Sequence, residues 1–186
     1  LRTIRHEGEP AIKRYARELD GWEDEFVLSD AKKKMLIDQV PEQTKSDLQF
    51  SLKQINRFAE AQRASLTEFE IQTEPGVVLG QRLVPIQTVG CYVPGGRYAH
   101  AASALMSIAT ARVAGVSEII ACSPPRGSSI HPAVAYAMDL AGVNVILEMG
   151  GVQAIASMAF GLFGNPPVDM LVGPGNSYVA LAKKML

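Results

Sequence analysis

The chain has 186 residues, 18 Lys/Arg against 19 Asp/Glu, a net charge of −1 and 47% hydrophobic residues. That make-up belongs to a globular protein, and its near-neutral charge argues against nucleic acid or a membrane surface as a partner. No apolar run reaches the roughly 18–20 residues of a bilayer span, the charged start LRTIRHEGEP has no signal-peptide core, and Cys91 and Cys122 form no CxxC, so a reducing cytoplasm is expected.

The sequence does not begin with Met, and a longer parent is expected. A first helix should start near Pro10, place Ile12, Tyr15 or Ala16, and Leu19 on one face, and end at Gly21. Trp22 follows in a turn as a packing anchor. Ser29 or Asp30 should cap a second helix through Leu36 and Ile37. A long third helix fits Pro41 to Arg63, with Leu48, Leu52, Ile55 and Ala59 on one stripe and a solvated Lys, Gln, Arg and Glu face opposite. Residues 71–90 look like a connection with strand character.

Residues 1–75 hold 12 of the 18 Lys/Arg and 15 of the 19 Asp/Glu. The remainder is rich in Ala, Val, Gly and Met, as suits a domain covered by another domain or subunit. From Gly90 the period changes. CYV precedes AASALMSIATARVAG; EIIACS precedes HPAVAYAMDLAG; VNVILEM precedes VQAIASMAFG; VDMLVG precedes NSYVALAKKML. Four such units predict an α/β fold with a parallel sheet, and their continuous apolar strands predict burial on both faces.

Ligands bind open parallel sheets outside the carboxyl ends of the strands. Three of the four strands end in glycine turns: Pro94-Gly95-Gly96, Gly150-Gly151 and Gly173-Pro174-Gly175-Asn176. Such turns allow a close backbone approach, and the following helix offers free N–H groups. The alternative is that glycine only lets a strand turn into a helix. The polar groups on this rim are Tyr92, Gln153 and Asn176. Their structural alternatives are burial of Tyr92 and plain N-capping by Asn176. No G-x-G-x-x-G follows the first strand, and no acidic residue closes the second.

These stretches resemble the histidinol dehydrogenase family. The resemblance rests on Tyr92-Val93-Pro94-Gly95-Gly96, Ala104-Leu105-Met106, VAGVSEII, Gly150-Gly151-Val152-Gln153-Ala154-Ile155-Ala156, and Gly173-Pro174-Gly175-Asn176 followed by Ala182-Lys183-Lys184. NRFAEAQ at 56–62 fits as well. The resemblance implies two-step, NAD-dependent oxidation of an alcohol with zinc, in a homodimer. It implies that Tyr92, Gln153 and Asn176 contact NAD. It also implies that residues 90–186 form an incomplete Rossmann-like NAD-binding domain. Residues 1–89 would then be helices and a connecting segment of a first domain completed downstream. The family's zinc ligands and Glu-His catalytic pair would lie beyond Leu186, so no catalytic or metal residue is assigned in this chain.

GGVQAIASMAFGLFG and RYAHAASALM depart from the usual family text, which has GGAQAIA and a Ser-Thr-Val-Leu-Met helix start. Both are similar to the sulfopropanediol 3-dehydrogenase branch. The small alcohol substrate is thus either an amino alcohol or a sulfonated diol. Arg97 or His100, at a helix start on the ligand edge, would receive an anionic substrate group; the alternative is an exposed Arg and a helix-capping or partly buried His. His6, His100 and His131 lack metal-ligand spacing. Cys91 and Cys122 are expected to be small core residues. Asp169 should lie at the amino end of its strand, and Asp139 and Glu148 have no partner identifiable from sequence. A second reading is a stand-alone, inactive nucleotide-binding or interaction module.

Overall fold

The computed structural model describes residues 1–95 and 99–186. Short helices α1 (Arg2–Glu7) and α2 (Glu9–Tyr15) open the chain, with Pro10 in the first turn of α2. A π-helical turn (Ala16–Asp20) continues α2 and ends at Gly21 in the left-handed region (φ 64°). Neither α1 nor the π turn is among the elements expected from the sequence. Ile12 and Ala16 are buried as expected, but Leu19 is 69% exposed. The wider i→i+5 winding carries Leu19 off the face that 3.6-residue spacing would give it.

Ser29 caps α3 (Asp30–Asp38), its Oγ accepting the Lys32 N–H at 3.3 Å. The long helix α4 (Glu42–Ala64) follows Pro41. Leu48, Leu52 and Ile55 pack on the core and Ala59 is buried, as the stripe predicts. The segment after α4 is an antiparallel hairpin, β1 (Phe69–Glu74) with β2 (Val77–Gln81), exposed along its length.

The remainder is a four-stranded parallel sheet: β3 (Thr88–Tyr92), β4 (Glu118–Ser123), β5 (Val145–Glu148) and β6 (Met170–Val172). The helices between and after them are α5 (Ala101–Val113), α6 (Pro132–Leu140), α7 (Gly151–Phe160) and α8 (Ser177–Lys184). Strand order is β5-β4-β3-β6. Ile119 and Ala121 join the core with α5 and α6, whereas Ile120 and Cys122 join the core with α7 and α8. One strand thus feeds two apolar layers, which is why its sequence is continuous rather than alternating.

The helices of the first part find their cover on this same unit. Leu36 of α3 and the α4 stripe pack on the α5–α6 side, and Ile4, Ile12, Trp22 and Phe26 pack on the α7 side. Trp22 is 5% exposed, the anchor expected of it. Residues 26–28 run along the edge of β5: Leu28 N–H donates to the Ile146 carbonyl (2.9 Å), and Glu148 N–H donates to the Phe26 carbonyl (2.7 Å). That pairing covers an edge which would otherwise present open backbone groups.

Candidate functional site at the carboxyl edge of the sheet

All four strands run parallel, so Tyr92, Ser123, Glu148 and Val172 end at one edge. The chain steps from β3 to β4 to β5 with α5 and α6 on one face. It then returns through α7 on the other face to place β6 beside β3. The winding therefore reverses between β3 and β6. In open parallel sheets the crevice outside such a reversal is the ligand position.

Tyr92 ends β3 at this crevice. It is 4% exposed, and its hydroxyl oxygen accepts the Gly151 N–H at 3.2 Å. Burial raises its phenol pKa, opposed by the Gly151 hydrogen bond, so the group stays protonated at neutral pH. Its backbone carbonyl lies where a Cβ on Gly173 would sit, at 2.0 Å, and Gly173 has φ 107°. One residue thus ties together the turns after β3, β5 and β6. Lys183, half-buried, donates from Nζ to the Gly173 carbonyl at 2.5 Å and fastens the last turn to α8; desolvation holds its pKa below the usual lysine value.

Gln153, in the first turn of α7, is 5% exposed, and its Nε2 donates to Asp20 Oδ2 at 2.9 Å. Asn176 is the N-cap of α8, its Oδ1 accepting the Val179 N–H at 3.0 Å. The capping role foreseen as an alternative is real, and it leaves the Asn176 NH₂ group available to a ligand. Tyr92 and Gln153 meet through Gly151, while Asn176 stands exposed three residues beyond Gly173.

The glycines have reasons within the protein. A Cβ on Gly95 or Gly150 would meet the Pro124 ring at 2.3 and 2.6 Å, and one on Gly175 would meet Val179 at 2.4 Å. Close packing of the turns on one another accounts for these positions. Packing of turn on turn is thus a third reason for these glycines, beside ligand approach and a simple strand-to-helix turn.

Arg97 and Tyr98, with Gly96, lie outside the described residues. His100 precedes α5, half-buried, and makes no side-chain cap. His131 caps α6 through Nδ1, accepting the Ala133 N–H at 3.2 Å. Cys91 and Cys122 are fully buried free thiols on opposite faces of the sheet. Burial pushes Cys91 up to about 11 and Cys122 further, so neither is a thiolate nucleophile. Asp169 sits at the amino end of β6, accepting from Thr88 N–H (2.9 Å) and Oγ1 (2.8 Å), bonds that lower its pKa. Asp139 and Glu148 do have partners. Asp139 pairs with Lys33 at 3.0 Å. Glu148, 1% exposed, binds Lys32 Nζ at 2.7 Å and accepts from Ser129 Oγ and the Ile130 N–H. The two lysine ion pairs span 106 and 116 residues in sequence, where no local pattern could announce them.

Among the described residues, no group of three or more His, Cys, Asp or Glu could hold a metal ion, and no helix is long and apolar enough to cross a membrane.

Comparison with known proteins gives one family. The family model described as histidinol dehydrogenase matches residues 1–186. A histidinol dehydrogenase homolog of Ruegeria pomeroyi is 54% identical over the whole chain, which covers 43% of that relative. The sulfopropanediol 3-dehydrogenase of the same organism is 48% identical with the same coverage. The histidinol dehydrogenase of Methanococcus maripaludis is 37% identical, and the chain covers 44% of it. The crystal structure of histidinol dehydrogenase from Elizabethkingia anophelis superposes with a TM-score of 0.92 at 31% identity, over 99% of this chain and 42% of that one. The chain thus spans less than half the length of these relatives.

Proposed function

The chain belongs to the histidinol dehydrogenase family, and from that premise we propose that it is the cofactor-binding part of an NAD-dependent, zinc-containing alcohol dehydrogenase. In this reading residues 90–186 are the NAD-binding domain, and residues 1–89 belong to a first domain completed by further sequence. The complete enzyme is a cytoplasmic homodimer that oxidises a primary alcohol through the aldehyde to the carboxylate.

The observation that carries this reading is the reversal of winding between β3 and β6, with Tyr92 and the Gly173–Asn176 turn beside it. Tyr92, Gln153 and Asn176 would hold NAD, which supplies the hydride acceptor. The groups fit that task. Tyr92 is a neutral phenol, Asn176 has a free NH₂ at a helix N-terminus, and Gln153 retains an amide oxygen. Among the described residues no cluster of His, Cys, Asp or Glu suits zinc, and in this reading its ligands come from further sequence. The chain's own contribution is to bind and orient the cofactor.

Two substrate classes compete: an amino alcohol such as L-histidinol, and a sulfonated diol such as sulfopropanediol. The 48% identity to the sulfopropanediol enzyme, against 37% to the Methanococcus histidinol dehydrogenase, favours the diol. The test is NAD titration of the full-length protein and of its Gln153→Ala and Asn176→Ala variants, then NADH formation with each alcohol. Binding that weakens in both variants, with turnover of one alcohol, supports the reading. Unaltered NAD affinity in both would remove the site. Binding without turnover of any alcohol would leave the alternative, an inactive nucleotide-binding module.

A further inference from the structure

Gln153 is an amide, and an amide can face a ligand with either its oxygen or its nitrogen. Asp20 decides which. An ionised carboxylate only accepts hydrogen bonds, so the group 2.9 Å from Asp20 Oδ2 has to be Nε2. The oxygen Oε1 then points the other way, over Gly151: a Cβ built there would stand 3.0 Å from it. No donor among the described residues reaches Oε1. Among the described residues, the fully buried side-chain polar atoms without a partner are Trp22 Nε1 and Ser157 Oγ, so Oε1 retains contact with solvent. An acceptor is left open beside the Tyr92–Gly151 contact.

Asp20 reaches Gln153 because of the π-helical turn. That turn ends at Asp20, and Gly21 in the left-handed conformation turns the chain there. The Trp22 N–H closes the turn onto the Ala16 carbonyl at 3.1 Å. Single π turns are rare and are found frequently at functional sites. Here one turn brings a carboxylate across 133 residues of sequence to α7.

We propose that Asp20 is a positioning residue of the cofactor site, locking the Gln153 amide so that Oε1 is presented as an acceptor to a hydrogen-bond donor of the dinucleotide, a ribose hydroxyl or the carboxamide NH₂. The inference rests on the reading of Gln153 as a cofactor contact, and its experiment separates the two. NAD affinity is measured by calorimetric titration of the full-length protein and of D20N, Q153A and D20N/Q153A, each with its melting temperature. The D20N substitution keeps the shape of the side chain but lets it donate as well as accept, so the Gln153 amide loses its fixed sense. D20N should weaken NAD by about 3- to 10-fold, the range of one misaligned hydrogen bond, with the melting temperature unmoved. The double variant should match Q153A, because Asp20 acts only through Gln153. Additive losses, or D20N binding like wild type while Q153A is weakened, would overturn the positioning role. Q153A binding NAD like wild type would instead overturn the underlying cofactor reading, and the proposal with it.

Discussion

Gly173→Ala tests whether the turn after β6 is held by backbone contact. Gly173 has φ 107°, and a Cβ there would stand 2.0 Å from the Tyr92 carbonyl oxygen and 3.1 Å from its nitrogen. Both atoms belong to a strand paired on either side, so neither can yield without breaking the β3–β4 or β3–β6 ladder. Forcing a side chain into that conformation costs about 1–3 kcal/mol, and overpacking against fixed atoms adds about 1–3 kcal/mol. The expected loss is about 3–5 kcal/mol. Gly127 is the control: φ is 71°, and a Cβ there would meet nothing within 4 Å. Gly127→Ala should cost only the left-handed conformation, about 1 kcal/mol. Urea unfolding of the two variants beside wild type measures the difference, and NAD titration shows whether the rim moves with it. Equal losses for the two substitutions would refute the close-approach argument.

Glu148→Ala should destabilise by about 3 kcal/mol in the same assay, because it leaves Ser129 Oγ and the Ile130 N–H without an acceptor and Lys32 Nζ without its ion pair; a loss under about 1 kcal/mol would contradict the buried network. The Cys91 thiol ionises near its ordinary value of 9.0 in the unfolded chain but only at about 11 in the fold. The unfolded state therefore binds fewer protons in that interval, and the stability contribution present below pH 9 is lost as pH rises toward 11. Cys91→Ala should flatten this alkaline decline in a series of melts between about pH 8 and 11. The hairpin exposes Phe69, Ile71, Val77, Val78 and Leu79. Residues 1–186 expressed alone should bind a hydrophobic dye and self-associate, with Val78→Lys reducing both; sedimentation as a dye-negative monomer would contradict this.

Local chemistry made much of the fold readable. Ser29 and Asn176 cap the helices they precede in sequence, because a cap and its N–H lie three residues apart. The change from helical stripes to β-α units after Gly90 foretold the parallel sheet, because burial on both faces demands continuous apolar strands. The candidate site was legible in part. Tyr92, Gln153 and Asn176 could be chosen from turns and resemblance, but Asp20 could not. A lone acid after an ordinary helical stripe carries no signal, and the π turn that aims it also defeated the expectation for Leu19. Glu148 and Asp139 were opaque for a related reason, their lysine partners being 116 and 106 residues away.

By itself, then, the sequence determined most of the elements, though neither α1 nor the π turn, together with the class of sheet and the family, since each is written in short-range periodicity, capping and ordered motifs. Tertiary structure alone decided the strand order that puts β6 beside β3, the packing of Gly95 and Gly150 against Pro124, and the pairing of Asp20 with Gln153. Those depend on which distant surfaces meet when two apolar layers close on one sheet. A contact between residues far apart in the chain has no period from which it could be read.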